Sequence, residues 1–251
     1  MLKLATLCSI HVIGDWGRRG QHFQKPVASR MQILDHSAVI SVGDNFYPGG
    51  ITSPTDPQVH ESWQDIYKPT VPWFVALGNH DHKGSAEAQT QITLPYWNMP
   101  DKVYSFGLCN HTFVVMDSTY VDEAQWAKVD RLLAEGGTKK WVVAHHPIYS
   151  AGWHHNVRQK YRQKMKELYH KHNVIAILSG HDHDLQYIEL DGVRQIVSGA
   201  GSSSYGYSEF QEGVQFFSED VGFVHLDISK EKVEITWVGL EKKLWEKKLN
   251  I

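Results

Sequence analysis

Five short apolar runs, each ending in a turn that carries Asp, Asn or His, constrain this chain more than any other feature. "SIHVI" runs into Gly14-Asp15, "AVISV" into Gly43-Asp44 and "WFVAL" into Gly78-Asn79. "WVVA" leads to His145-His146, and "IAIL" to Ser179-Gly180-His181. Such runs read as strands of a sheet covered on both faces. In α/β proteins, chemistry gathers at the carboxyl ends of strands. A single Gly-Asp pair is usually an ordinary turn. A lone buried His is more often a hydrogen-bonded core residue than a ligand. Five consecutive strand-end turns, all bearing donors, are not five accidents. Mixed carboxylate and imidazole ligands suit Zn, Mn or Fe. Their number exceeds one tetrahedral site, so two metals are expected.

The rest of the chain frames those turns. Asp122 is placed to cap a helix whose Trp126, Val129, Leu132 and Leu133 share a face, with Gly136 ending it. Val157, Tyr161, Met165, Leu168 and Tyr169 give a second helical stripe. After His183 the texture becomes β-rich, in "LQYIEL", "RQIVSGA", "FVHLDI" and "VEITWVG". The expected architecture is α/β, with sheets covered by helices. At 251 residues, a single domain spanning 1–251 is expected.

Several partner classes are argued against. The net charge of −3 carries no nucleic-acid signature. No apolar run approaches the roughly 18 residues of a membrane span. Cys8 and Cys109 are expected to be buried free thiols, which leaves the redox compartment open. The N-terminal "MLKLATLCSIHVIGDWG" is read as a first strand entering a functional turn, not as a signal peptide. "NHT" at Asn110 is a glycosylation sequon that decides little alone. There is no Ser or Cys triad and no P-loop.

The blocks "GDWG", "GDNFY", "GNHDH", "VVAHHP" and "GHDHDLQ", in that order, resemble the calcineurin-like metallophosphoesterases. Within them the chain is similar to the purple acid phosphatases of the small tartrate-resistant type. The resemblance implies a four-layer αββα sandwich of two mixed β-sheets flanked by helices. Two departures from the general superfamily pattern carry the narrower likeness. Gly17 stands where most members have a His, and Tyr47 where most have an Asp. The resemblance implies a tyrosinate in place of the lost imidazole.

One metal would then be held by Asp15, Tyr47, His183 and a bridging Asp44; the other by Asp44, Asn79, His145 and His181. Three anionic oxygen ligands imply Fe(III) at site one; a shared carboxylate, an amide and two imidazoles imply Fe(II), Zn(II) or Mn(II) at site two. Ions totalling +5, set against −3 from Asp15, Asp44 and Tyr47, leave +2 to attract a phosphate dianion. Metal-bound water can have its pKa lowered to about 7 or below, so a metal-bound hydroxide needs no general base. His80, His154 and His155 are the expected outer groups, binding phosphate oxygens or protonating the leaving group. His146 and Asp182 are expected to be supporting groups.

The implied activity is acid hydrolysis of small-molecule phosphomonoesters. The alternatives are a phosphodiesterase or nucleotide pyrophosphatase, a non-catalytic metal-binding scaffold, and iron or redox chemistry. The family likeness leans to a secreted or periplasmic protein, with its leader absent here. The short "VVMDSTYVDEAQW" connection implies an open site, because animal relatives carry a long insert there.

Overall fold

The apolar runs do form parallel strands, but they divide between two sheets. In the computed structural model, which describes residues 8–154, 158–206 and 212–251, the first sheet collects three of them. These are β1 (Cys8–Ile13), β2 (Ala38–Ser41) and β3 (Trp73–Val75), extended by the short β4 (Trp97–Asn98). The second sheet is built from β5 (Tyr104–Leu108), β6 (His111–Met116), β7 (Lys140–Ala144) and β8 (Val174–Ser179). Strands β6, β7 and β8 are parallel and β5 is antiparallel to β6.

The β-rich second half completes both sheets. Strands β9 (Leu185–Leu190), β10 (Val193–Ser198) and β11 (Val214–Ser218) join the second; β12 (Gly222–Ile228), β13 (Lys232–Gly239) and β14 (Lys243–Asn250) join the first. The strand orders are β14-β13-β12-β1-β2-β3-β4 and β11-β9-β10-β8-β7-β6-β5. The first sheet is parallel from β1 to its β4 edge and antiparallel from β1 to β14, while the second has a parallel centre, β10-β8-β7-β6, with antiparallel strands on both sides. This is the expected αββα arrangement.

Strand alternation makes the layers. Phe113 and Val115 of β6 face one apolar cluster with Val12, Ile40 and Val75 of the first sheet. Their neighbours Val114 and Met116 face the other, against Trp126, Val129 and Leu133. Side chains on a strand point alternately to its two faces, so one strand serves both interfaces. Helix Glu123–Glu135 begins where expected, because Asp122 accepts a hydrogen bond from Gln125 N at 2.8 Å. Gly136 ends it at an ordinary φ of −67°; a side chain there would meet Thr112 Cγ2 at 2.9 Å. Helix Gln159–Lys171 buries Tyr161, Met165, Leu168 and Tyr169. Val157, expected on that stripe, lies outside the described residues.

The expectation of two free thiols is corrected. Cys8 and Cys109 form a disulfide between residues 101 positions apart, with Cα atoms 5.8 Å apart. Cys8 opens β1 in the first sheet, and Cys109 turns between β5 and β6 in the second. The bond therefore ties the sheets together at the end opposite the polar turns. That meeting depends on how the layers stack, which neither cysteine's flanking sequence encodes.

Candidate metal centre

The polar turns of both sheets open at the same edge of the sandwich. Asp15 follows β1, Asp44 follows β2 and Asn79 follows β3; His145 follows β7, and His181 and His183 follow β8. Asp15, Asp44 and His181 adopt φ values of 60°, 53° and 69°. Left-handed backbone at non-glycine residues is uncommon and clusters at functional sites. Here it turns three donor side chains inward.

Two groups of donor atoms result. In the first, Tyr47 Oη lies 3.0 Å from Asp15 Oδ1, 2.9 Å from Asp44 Oδ2 and 3.1 Å from His183 Nε2. His183 Nε2 is itself 3.2 Å from Asp15 Oδ1. In the second, His145 Nε2 lies 3.1 Å from Asn79 Oδ1 and 3.5 Å from Asp44 Oδ2. Asp44 Oδ2 thus belongs to both groups, while Asp44 Oδ1 accepts from His80 N at 2.7 Å. His181 closes the second group from the side. Its ring centroid is 5.1 Å from that of His145, and its backbone N–H donates to Asp15 Oδ2 at 3.0 Å.

Neighbouring groups set the tautomers. His145 Nδ1 donates to Val42 O at 2.9 Å, which leaves the Nε2 lone pair facing the centre. His183 Nδ1 is held by Ser203 Oγ at 2.9 Å. Close packing fixes the turns. At Gly17 a Cβ would lie 1.7 Å from Asn45 O, so no imidazole fits where the wider superfamily pattern has one. Asp81 accepts from Gly78 N at 2.8 Å, Asn45 N at 3.0 Å and Gln89 Nε2 at 2.8 Å. It thereby clamps the Asp44 turn to the Asn79 turn. Burial, and then the Asp44 charge, push the Asp81 carboxyl up to about 7.

The donor set fits cations. Asp15 and Asp44 are 0% and 1% exposed, and their recorded ionic partners among the described residues are imidazoles. Buried carboxylates are costly unless paired. Burial raises the Asp15 carboxyl, but the His183 and His145 imidazoles beside it bring it below its ordinary value. Burial lowers His145, yet the Asp44 and Asp15 carboxylates carry it above its ordinary value. Burial pushes the Tyr47 phenol well up, and Asp15 and Asp44 push it further. Ionising that phenol takes a strong Lewis acid. Asp15, Asp44 and His145 offer ligand atoms all within 4.8 Å of one another.

The outer histidines differ. His80 Nδ1 donates to Pro48 O at 2.6 Å, and its ring sits 4.4 Å from the Tyr47 ring. His154 Nδ1 lies 3.1 Å from the buried Asp182 Oδ1, and its ring is 4.2 Å from that of His181. The hydrogen bond that His154 donates to Asp182 raises the His154 pKa, against burial. His155 lies outside the described residues. His146 is pushed down to about 2 by burial and then by His145. His82 pairs with Asp117 at 2.7 Å.

Sequence reasoning missed Arg18, and it left Tyr205 open between ring stacking and a plain surface position. The Arg18 guanidinium stacks 3.8 Å from the Tyr47 ring centroid, and its Nε donates to Ser202 Oγ at 2.9 Å. Tyr205 stacks on His183 at 4.3 Å. Nothing in the spacing signals either contact. Asp81 stood in the "GNHDH" block and was readable as a buried acid.

Residues 8–185 match the calcineurin-like phosphoesterase family, and the chain belongs to it. It is thereby a metallophosphoesterase, a hydrolase class. Purple acid phosphatase 3 of Arabidopsis thaliana is 31% identical over 91% of this chain and 74% of its own length. Tartrate-resistant acid phosphatase type 5 of Oryctolagus cuniculus is 28% identical over 90% of this chain and 85% of its own. Within the family, the chain is a member of the purple acid phosphatases. A solved structure described as GAP50, the anchor in the inner membrane complex of Plasmodium, superposes with a TM-score of 0.87 at 25% identity. It covers 98% of this chain and 89% of that one.

Proposed function

We propose that residues 1–251 act as one domain, a binuclear acid phosphatase that hydrolyses small phosphomonoesters. The observation that carries the reading is the single oxygen, Asp44 Oδ2, shared by two donor groups of different chemistry. Asp15, Asp44, Tyr47 and His183 would hold Fe(III). Asp44, Asn79, His145 and His181 would hold Fe(II), Zn(II) or Mn(II). When bound, the ions supply Lewis acidity and an activated water.

The chain's own residues orient and protonate the substrate. His80 would face the phosphate, and the nearby Lys83, whose Nζ is 3.1 Å from His80 Nδ1, places positive charge beside it. His154 has one nitrogen fixed on Asp182, so its Nε2 is left to carry a proton to the leaving oxygen. His155 is assigned to the same outer group on its sequence position alone. The Cys8–Cys109 disulfide supports an oxidising compartment, secreted or periplasmic.

The test is a pH–rate profile on 4-nitrophenyl phosphate and on bis(4-nitrophenyl) phosphate. The reading predicts an acid optimum with a clear preference for the monoester. A preference for the diester would move the chain to the phosphodiesterase alternative. The description of the Plasmodium neighbour as an anchor supports a second reading, a non-catalytic scaffold. Metal-loaded protein with no turnover on either ester would favour it.

A further inference from the structure

Beside the second donor group lies a cavity of about 370 Å³, lined by His146, Trp153, His154, Arg158, Tyr161 and His181. Resting on the phosphatase reading above, we propose that this cavity is a leaving-group subsite selecting aryl phosphates whose ring carries a second anionic group.

Its position follows from two shared walls. His181 belongs to the donor group that faces the phosphate, and His154 is the proposed proton donor. In hydrolysis the ester P–O bond breaks, the water oxygen stays on phosphorus, and the departing oxygen takes a proton from His154. The departing group therefore lies against His154, which is to say in this cavity. The volume is at the small end of the roughly 300–1,000 Å³ typical of ligand pockets, which suits a single ring.

Its chemistry follows from the other walls. Arg158 donates to Ser118 O at 2.5 Å and to Thr119 O at 3.3 Å. Those carbonyls hold the guanidinium in place without neutralising it, and among the described residues it has no carboxylate partner. A guanidinium carries five N–H donors in a planar fork, so others remain for an incoming carboxylate. Tyr161 and the 67% exposed Trp153 supply aromatic walls. Ring-on-ring contact adds attraction beyond area burial. His146 adds a polar edge. Ser118 Oγ accepts from the His146 backbone N–H at 2.9 Å and lies 2.8 Å from Nδ1. With Ser118 donating to Nδ1, the ring proton sits on Nε2. A simple alkyl alcohol would engage none of these groups.

The experiment compares kcat/KM for 4-carboxyphenyl phosphate, phenyl phosphate and glycerol 2-phosphate. In Arg158→Gln the ratio of the first to the second should fall about tenfold, mainly through KM, with partial recovery in Arg158→Lys. In Trp153→Ala both aryl substrates should lose ground to glycerol 2-phosphate. Ratios unchanged in both variants overturn the proposal while leaving the phosphatase reading intact. If the wild type turns over none of the three, that reading fails instead. The cavity is then tested alone, by calorimetric titration with 4-hydroxybenzoate. Binding that weakens about tenfold in Arg158→Gln supports the subsite, and equal or absent binding overturns it.

Discussion

Gly78→Ala strains the proposed centre directly at its shared carboxylate, Asp44. A Cβ at this position would lie 2.2 Å from Asp44 Oδ1, 2.3 Å from Asp44 N and 2.8 Å from Asp44 Cγ. Ordinary contact begins at 3.4 Å. The Asp44 turn must therefore move by about 1 Å, and a misplacement of that size can cost about 100-fold in rate. Overpacking of a full core costs about 1–3 kcal/mol. Asp44 Oδ2 lies between Tyr47 and His145, so the displacement reaches both donor groups. Metal content by mass spectrometry, turnover on 4-nitrophenyl phosphate and urea unfolding should be measured together. Gly107→Ala is the control, since nothing lies within 4 Å of a Cβ there. The expected result is lost metal and about 100-fold less turnover in the folded Gly78→Ala protein, with Gly107→Ala near wild type. Full metal content and full turnover in Gly78→Ala would refute the placement of Asp44.

Two further perturbations separate structure from chemistry. Cys109→Ser should destabilise the fold by about 2–4 kcal/mol, because the cross-link spans 101 residues; urea unfolding with and without reductant checks it. His154→Ala should cost about 100-fold on alkyl phosphates and far less on 4-nitrophenyl phosphate, whose leaving group needs no proton. The sign of the pH effect follows from Asp182. Its hydrogen bond raises the His154 pKa, so the proton is held to higher pH and activity on alkyl phosphates falls as pH rises through that value. Asp182→Asn should therefore move the alkaline limb to lower pH; an unmoved limb would remove His154 from the proton-donor role.

Much of the fold was legible because most residues of its parallel strands are apolar. β2 and β8 are buried at every residue, and their sequences read so. β14, "KLWEKKLN", was not legible. It is an edge strand, mostly half-buried, and its lysines break the apolar pattern. Helix Gln24–Ile33 was missed because its buried side is only Gln24, Val27, Ala28 and Met31, a weak stripe beside Pro26.

The candidate site divides the same way. Asp15, Asp44, Asn79, His145 and His181 follow apolar strands, so chain order alone pointed to them. Arg18 and Ser203 reach the centre through side-chain direction and sheet stacking, which spacing does not encode. The disulfide was misjudged for the same reason: the first sheet and the second meet only in three dimensions.

The central claim is that two unlike metal ions share Asp44 and that Tyr47 binds one of them as a phenolate. Metal analysis of protein purified without chelators, recorded with its visible spectrum beside that of Tyr47→Phe, tests it most directly. The account predicts two metal ions per chain, at least one of them iron, and a pink to purple band that vanishes in Tyr47→Phe while the fold remains. Active protein that holds its iron without colour, or a band that survives in Tyr47→Phe, would contradict it.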